Sequence, residues 1–211
     1  MDDSGKFWRW AKLCVDVYQF PSQAADLLTS GVLYLVPEIC LSSTIGPGNA
    51  NVESLLRAIS EGKTPLLKEL AGSVFSHPLA HVSPGILAGA AVNLEGLRAG
   101  LSSLQLEAIL TRIARSQDSK LRKLKWGYHQ QISGFDPDIL AEAIVKLEKA
   151  EFWGGRMTAE QINAILTMLG GNMQGRLKEI KIVCPRVAGS VSQTLLQQAR
   201  LNNDVRIDVN I

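Results

Sequence analysis

Two stretches of this chain repeat themselves, and nothing else in it constrains the fold as much, because a self-similar chain must stack copies of one supersecondary unit. Val82–Glu95 aligns with Phe135–Glu148 at an offset of 53, sharing Pro, Ile, Leu, Ala, Ala, Val, Leu and Glu. Gln105–Thr111 recurs as Gln161–Thr167 at an offset of 56, sharing Gln, Ala, Ile, Leu and Thr. Each long unit divides in two, since an apolar triplet spaced i, i+3, i+5 returns at about half that interval. Its clearest copies are Leu121-Leu124-Trp126 and Leu177-Ile180-Ile182. Weaker ones are Trp10-Leu13-Val15, Val36-Ile39-Leu41, Leu67-Leu70-Gly72, Leu94-Leu97-Ala99, Leu147-Ala150-Phe152 and Asn202-Val205-Ile207.

Between triplets the apolar period becomes helical, as in Leu106, Ile109, Leu110 and Ile113, or Ile162, Ile165, Leu166 and Leu169. Helix starts are marked by Ser83-Pro84 and Asp136-Pro137, a capping side chain before a first-turn proline, and by Thr158 with Gln161 at capping-box spacing. Gly31, Gly62 and Gly170 stand where those helices should stop. Each unit of ~27 residues therefore reads as a short strand, a turn, a helix and a return loop. We expect one α/β domain over 1–211, a solenoid of about seven repeats with parallel strands on a concave face and helices outside. Its strands should begin near residues 10, 36, 67, 94, 121, 147, 177 and 203.

In repeat length, with one full helix per unit, the chain resembles leucine-rich-repeat proteins of the ribonuclease-inhibitor type, over residues 10 to 211. It departs from that family where an asparagine or cysteine normally follows the strand, a position held here by Tyr18, Thr44, Phe75, Ser102, His129, Gly155 and Pro185. The turns must therefore satisfy their backbone groups in another way. Phe7-Trp8-Arg9-Trp10-Ala11-Lys12-Leu13 in turn resembles the tail of an F-box preceding a first repeat strand. That resemblance implies the substrate-reading half of an adaptor for a cullin-type ubiquitin ligase, with the three F-box helices lying upstream. The alternative is that residues 1–18 are an N-terminal cap, Trp8 and Trp10 closing the open end of the stack.

A 46% hydrophobic, 20% charged composition excludes a disordered chain. The net charge of +2 is spread along the sequence, which gives no footprint for a nucleic-acid backbone. Cys14, Cys40 and Cys184 cannot all pair within one chain, and Met1–Trp10 holds two aspartates and no apolar run, so a reducing compartment is expected, the cytoplasm or the nucleus. The uncharged stretch Leu70–Leu94 is broken by Pro78 and Pro84 and does not read as a membrane span. Glycine-rich phosphate loops, nucleophile elbows and zinc-type histidine pairs are absent, and Pro78 between His77 and His81 forbids the helix that would make that pair a metal face. We expect neither an enzyme nor a bound cofactor or metal.

Strand alternation then assigns the faces. The first, fourth and sixth positions of each triplet unit point inward, and the third, fifth and seventh line the concave face. That places Trp126 and Phe152 in the core, and Arg98, Lys125, Lys149, Glu151, Trp153 and Lys181 on the surface. Lys125, Glu151, Lys181 and Arg206 should form a lateral row, either a solvated charge ladder or a partner-reading surface. Cys14 and Cys40 should be lateral neighbours. Trp153 is expected either to anchor a partner, with Lys125 and Lys149 beside it, or to fold over Gly127. The last strand should have its outer edge covered by a partner, a second copy or a continuation. The function expected is non-enzymatic protein binding, as part of a ubiquitin-ligase adaptor or, alternatively, as an inhibitor or innate-sensor repeat domain.

Overall fold

The computed structural model describes residues 13–16, 37–42, 50–72, 79, 81–127, 132, 134–153, 157–171, 175–184, 187, 189–202 and 205–210. The elements among them run β1 Leu13–Asp16, β2 Glu38–Ser42, α1 Ala50–Ser60, β3 Glu69–Gly72, α2 Pro84–Ala91, β4 Gly96–Gly100 and α3 Ser103–Arg115. There follow β5 Lys123–Gly127, α4 Pro137–Val145, β6 Lys149–Trp153, α5 Ala159–Gly170, β7 Glu179–Val183, α6 Gln193–Asn202 and β8 Arg206–Asn210. The strands form one open sheet in chain order, and every neighbouring pair is parallel. Each helix from α1 to α5 packs on the next. The architecture is an α/β solenoid, as the repeat spacing predicts.

Inward positions fill a single continuous core. Leu121, Leu124 and Trp126 are at most 1% exposed, and Trp126 meets Phe152 edge-on with ring centroids 4.0 Å apart. Strands begin two or three residues after the expected positions, at Leu13, Glu38, Glu69, Gly96, Lys123, Lys149, Glu179 and Arg206. The reason is a turn repeated from unit to unit. The carbonyl of the residue that follows the first triplet residue accepts two successive amides of the following unit: Pro37 from Lys68 and Glu69, Lys68 from Glu95 and Gly96, Glu95 from Arg122 and Lys123. Arg122 and Glu148 continue the series. Two amides sharing one acceptor insert an extra residue before the ladder starts, which is why the inward spacing is three and then two.

The final unit shows a correction. Glu179 pairs with Arg206 and Lys181 with Asp208, so Arg206 does not share the row of Lys125, Glu151 and Lys181; Asp208 does. The Lys178 carbonyl receives the Arg206 amide, which makes the triplet 204-207-209. Val205, Ile207 and Val209 alternate, so a shift of two residues preserves the inward pattern and the sequence offers nothing to choose between registers.

The helix starts also differ from expectation in part. Asp136 caps α4 by accepting from the amides of Asp138 and Ile139, whereas Ser83 makes no side-chain cap bond on α2. Gly62, after α1, adopts φ +72°, which a side chain would strain; Gly170 is still helical, with Gly171 at the cap. Of the seven post-strand positions, Ser102 alone is described, as the N-cap of α3. Tyr18, Thr44, Phe75, His129, Gly155 and Pro185 lie outside the described residues, as do Gly31 and residues 1–12.

The loop backbone is satisfied by buried glutamines instead. Gln105 and Gln161, 1% and 0% exposed, complete capping boxes with Ser102 and Thr158. Gln105 Nε2 then donates to the carbonyls of Leu79 and Val82, and Gln161 Nε2 to those of Ile132 and Phe135. Glutamine-tied units carry helices of 13 and 12 residues (α3, α5), and the units that alternate with them, with a proline in the first turn, carry helices of 8 and 9 (α2, α4). This alternation is why the sequence repeats at twice the unit length.

Candidate protein-binding face

Parallel register turns the outward positions into rows. One runs Glu38, Glu69, Gly96, Lys123, Lys149, Glu179, Arg206, and the next runs Cys40, Ala71, Arg98, Lys125, Glu151, Lys181, Asp208. Neighbours within a row are about 4.8 Å apart in backbone spacing, close enough for side chains to pair. Cys14 lies opposite Cys40 in register, as expected.

Glu151 is the hub. Its carboxylate accepts from Lys125 at 2.6 Å and Lys149 at 3.0 Å, and Lys149 also reaches Glu179 at 2.9 Å. The Trp153 indole Nε1 donates to Glu151 at 3.1 Å. The ring lies with the ammonium of Lys125 5.1 Å, and that of Lys181 4.7 Å, from its centroid. With its side chain only 12% exposed, Glu151 would be pushed up by burial, but the bonds from Lys125, Lys149 and Trp153 outweigh this and hold its pKa at about 2. Lys149 is raised by its bonds to Glu179 and Glu151, and Lys123 by its bond to Glu69.

Lys123 and Glu69 sit two strands apart, yet meet at 2.9 Å. They can because Gly96 stands between them: a Cβ there would come within 3.0 Å of Glu69 Cγ. Beside this bridge a groove of about 190 Å³ opens over β2 to β6, lined in part by Glu38, Ala71, Arg98, Lys123 and Lys125. A larger groove of about 610 Å³ lies on the helical side beyond the short α4, but its Lys146 is already bonded to the Ala114 carbonyl and to Glu142.

The structure thus gathers Lys125, Lys149, Glu151, Trp153 and Lys181 into one cluster and places Arg98 in the adjoining groove. It corrects one detail: Lys181, not Lys149, flanks Trp153 together with Lys125, because Lys149 is drawn between the two glutamates. The bridge over Gly96 was not foreseen; a glycine inside a strand pattern was its signal.

No family model matches the chain, and no curated protein matches it. Among solved structures it is similar to a crystal structure of a Bacteroides fragilis protein, at 12% identity and a TM-score of 0.48, over 97% of this chain and 75% of that one. Among the described residues no helix is long and apolar enough to cross a membrane.

Proposed function

We propose that this chain is a non-enzymatic recognition module, a leucine-rich-repeat-like solenoid that binds a protein partner on the sheet face away from its helices. The observation that carries the reading is Trp153, a partly exposed indole on that face between two ammonium groups. An aromatic ring held rigid by its neighbours loses little entropy when a partner covers it, and such residues dominate interface energetics. The narrower reading, the substrate-recognition part of a ubiquitin-ligase adaptor, rests on Phe7–Leu13, of which residues 7–12 lie outside the described residues.

The test is affinity purification from cells of the source organism with the wild-type chain, with Trp153→Ala and Lys181→Ala on the sheet face, and with Leu104→Ala on the helical side. A partner retained by Leu104→Ala and depleted at least about tenfold by the sheet-face variants is the expected result, given hot-spot losses above about 1.4 kcal/mol. A partner lost with Leu104→Ala and kept by both sheet-face variants would overturn the reading.

A further inference from the structure

On the open face, the ammonium groups of Lys123, Lys125, Lys149 and Lys181 are paired with the carboxylates of Glu69, Glu151, Glu179 and Asp208. Arg98 stands outside that network. It is exposed at the middle of β4 and makes no ion pair or side-chain hydrogen bond among the described residues. Its own strand brings nothing to compete for it, since the outward positions on either side are Gly96 and Gly100, and its neighbour on β3 is Ala71. Lys125, its neighbour on β5, is held by Glu151. The groove over β2 to β6 is also lined by the carboxylates of Glu38, Glu69 and Glu151, the latter two already bonded to lysines, and it contains in Arg98 a guanidinium with its donors open.

We propose that Arg98 reads a single carboxylate, an aspartate or glutamate side chain on an extended acidic segment of the partner protein. This rests on the recognition reading above. The planar fork of arginine matches a carboxylate through two parallel hydrogen bonds, which a lysine cannot do. Ala71, half-buried beside Arg98, is small enough to let a peptide backbone approach the sheet at that point. The pairing selects the anion: among the described residues lining the groove, Arg98 is the one cation without an ion pair, and it matches one carboxylate. A phosphoryl group carries about −1.5 to −2 at neutral pH and would need a second open cation, whereas the neighbouring lysines are all paired.

The experiment is a displayed library of random linear peptides panned on the wild-type chain, followed by affinity measurements on synthetic versions of the enriched sequences. Each is made with its central acidic residue, with the amide replacement and with phosphoserine, and is titrated against wild type, Arg98→Gln, Arg98→Lys and Trp153→Ala, all checked for unchanged circular dichroism. The result expected is enrichment of Asp- or Glu-containing peptides whose affinity falls at least about tenfold with Arg98→Gln and less with Arg98→Lys. The amide peptide should lose as much on wild type and nothing further on Arg98→Gln. Peptides that lose affinity with Trp153→Ala but not with Arg98→Gln would overturn this inference and leave the recognition reading standing. Tighter binding of phosphoserine than of the carboxylate, abolished by Arg98→Gln, would overturn the choice of anion. If the wild-type chain enriched no peptide, both readings would fall.

Discussion

Replacing Gln161 by leucine removes one side chain and takes three backbone partners with it. The Thr158 amide loses its bond to Oε1 (3.0 Å), and the Ile132 and Phe135 carbonyls lose their bonds from Nε2 (2.6 and 2.8 Å). The losses are unequal. Ile132 still accepts the Phe135 amide, so it keeps one partner, whereas the other two groups are left without a described one. At about 1–1.5 kcal/mol for each orphaned group and less for Ile132, the substitution should cost about 3 kcal/mol, leucine filling most of the volume. For a chain of this length that corresponds to a fall of about 6–12 °C in melting temperature. Urea denaturation followed by circular dichroism gives the global figure, and hydrogen exchange gives the local one. Amides near 132–135 should lose protection first while those near Leu79, held by Gln105, keep theirs, since solenoid units touch only their neighbours. A cost below about 1 kcal/mol with the 132–135 loop still protected would refute the reasoning.

Three further outcomes follow from the open face. Trp153→Ala should cost about 1–2 kcal/mol in thermal denaturation, from two partly exposed cation–π contacts and one hydrogen bond; a loss above about 3 kcal/mol would show the ring to be core. Glu151 has a folded pKa of about 2 against an ordinary 4.5, so its contribution is fully present above pH 4.5 and is lost as pH falls through 2. Acid titration should show up to about 3 kcal/mol less of that loss in Glu151→Gln, and an unchanged acid limb would count against the hub. Gly96→Ala should displace Glu69 and return the Lys123 ammonium toward its ordinary pKa by NMR while changing stability by under about 1 kcal/mol; an unmoved Lys123 would contradict the bridge.

Much of this fold was legible because its signals are periodic. The inward triplets place Leu124, Trp126 and Phe152 correctly, and with them the outward row of Lys125, Glu151 and Lys181. The strand starts were shifted because the shared carbonyl turn is backbone geometry, which side-chain hydrophobicity does not report. Arg206 was misassigned because an alternating strand is unchanged by a slip of two. The missing post-strand asparagine had a visible substitute in the repeated Gln105 and Gln161, but their reach to Leu79 and Ile132 depends on packing between units. The flanking of Trp153 by Lys181 rather than Lys149 was decided by competition for Glu151 and Glu179, which needs distances that no spacing supplies.

The claim that this face, rather than the helical side, meets a partner is tested most directly by site-specific photocrosslinking. A benzophenone amino acid is placed at Ala71 on the sheet face and, in a separate variant, at Thr111 on α3, and each is irradiated with the partner recovered by affinity purification. A covalent adduct from position 71 and none from position 111 is the result predicted. An adduct from position 111 alone would contradict it.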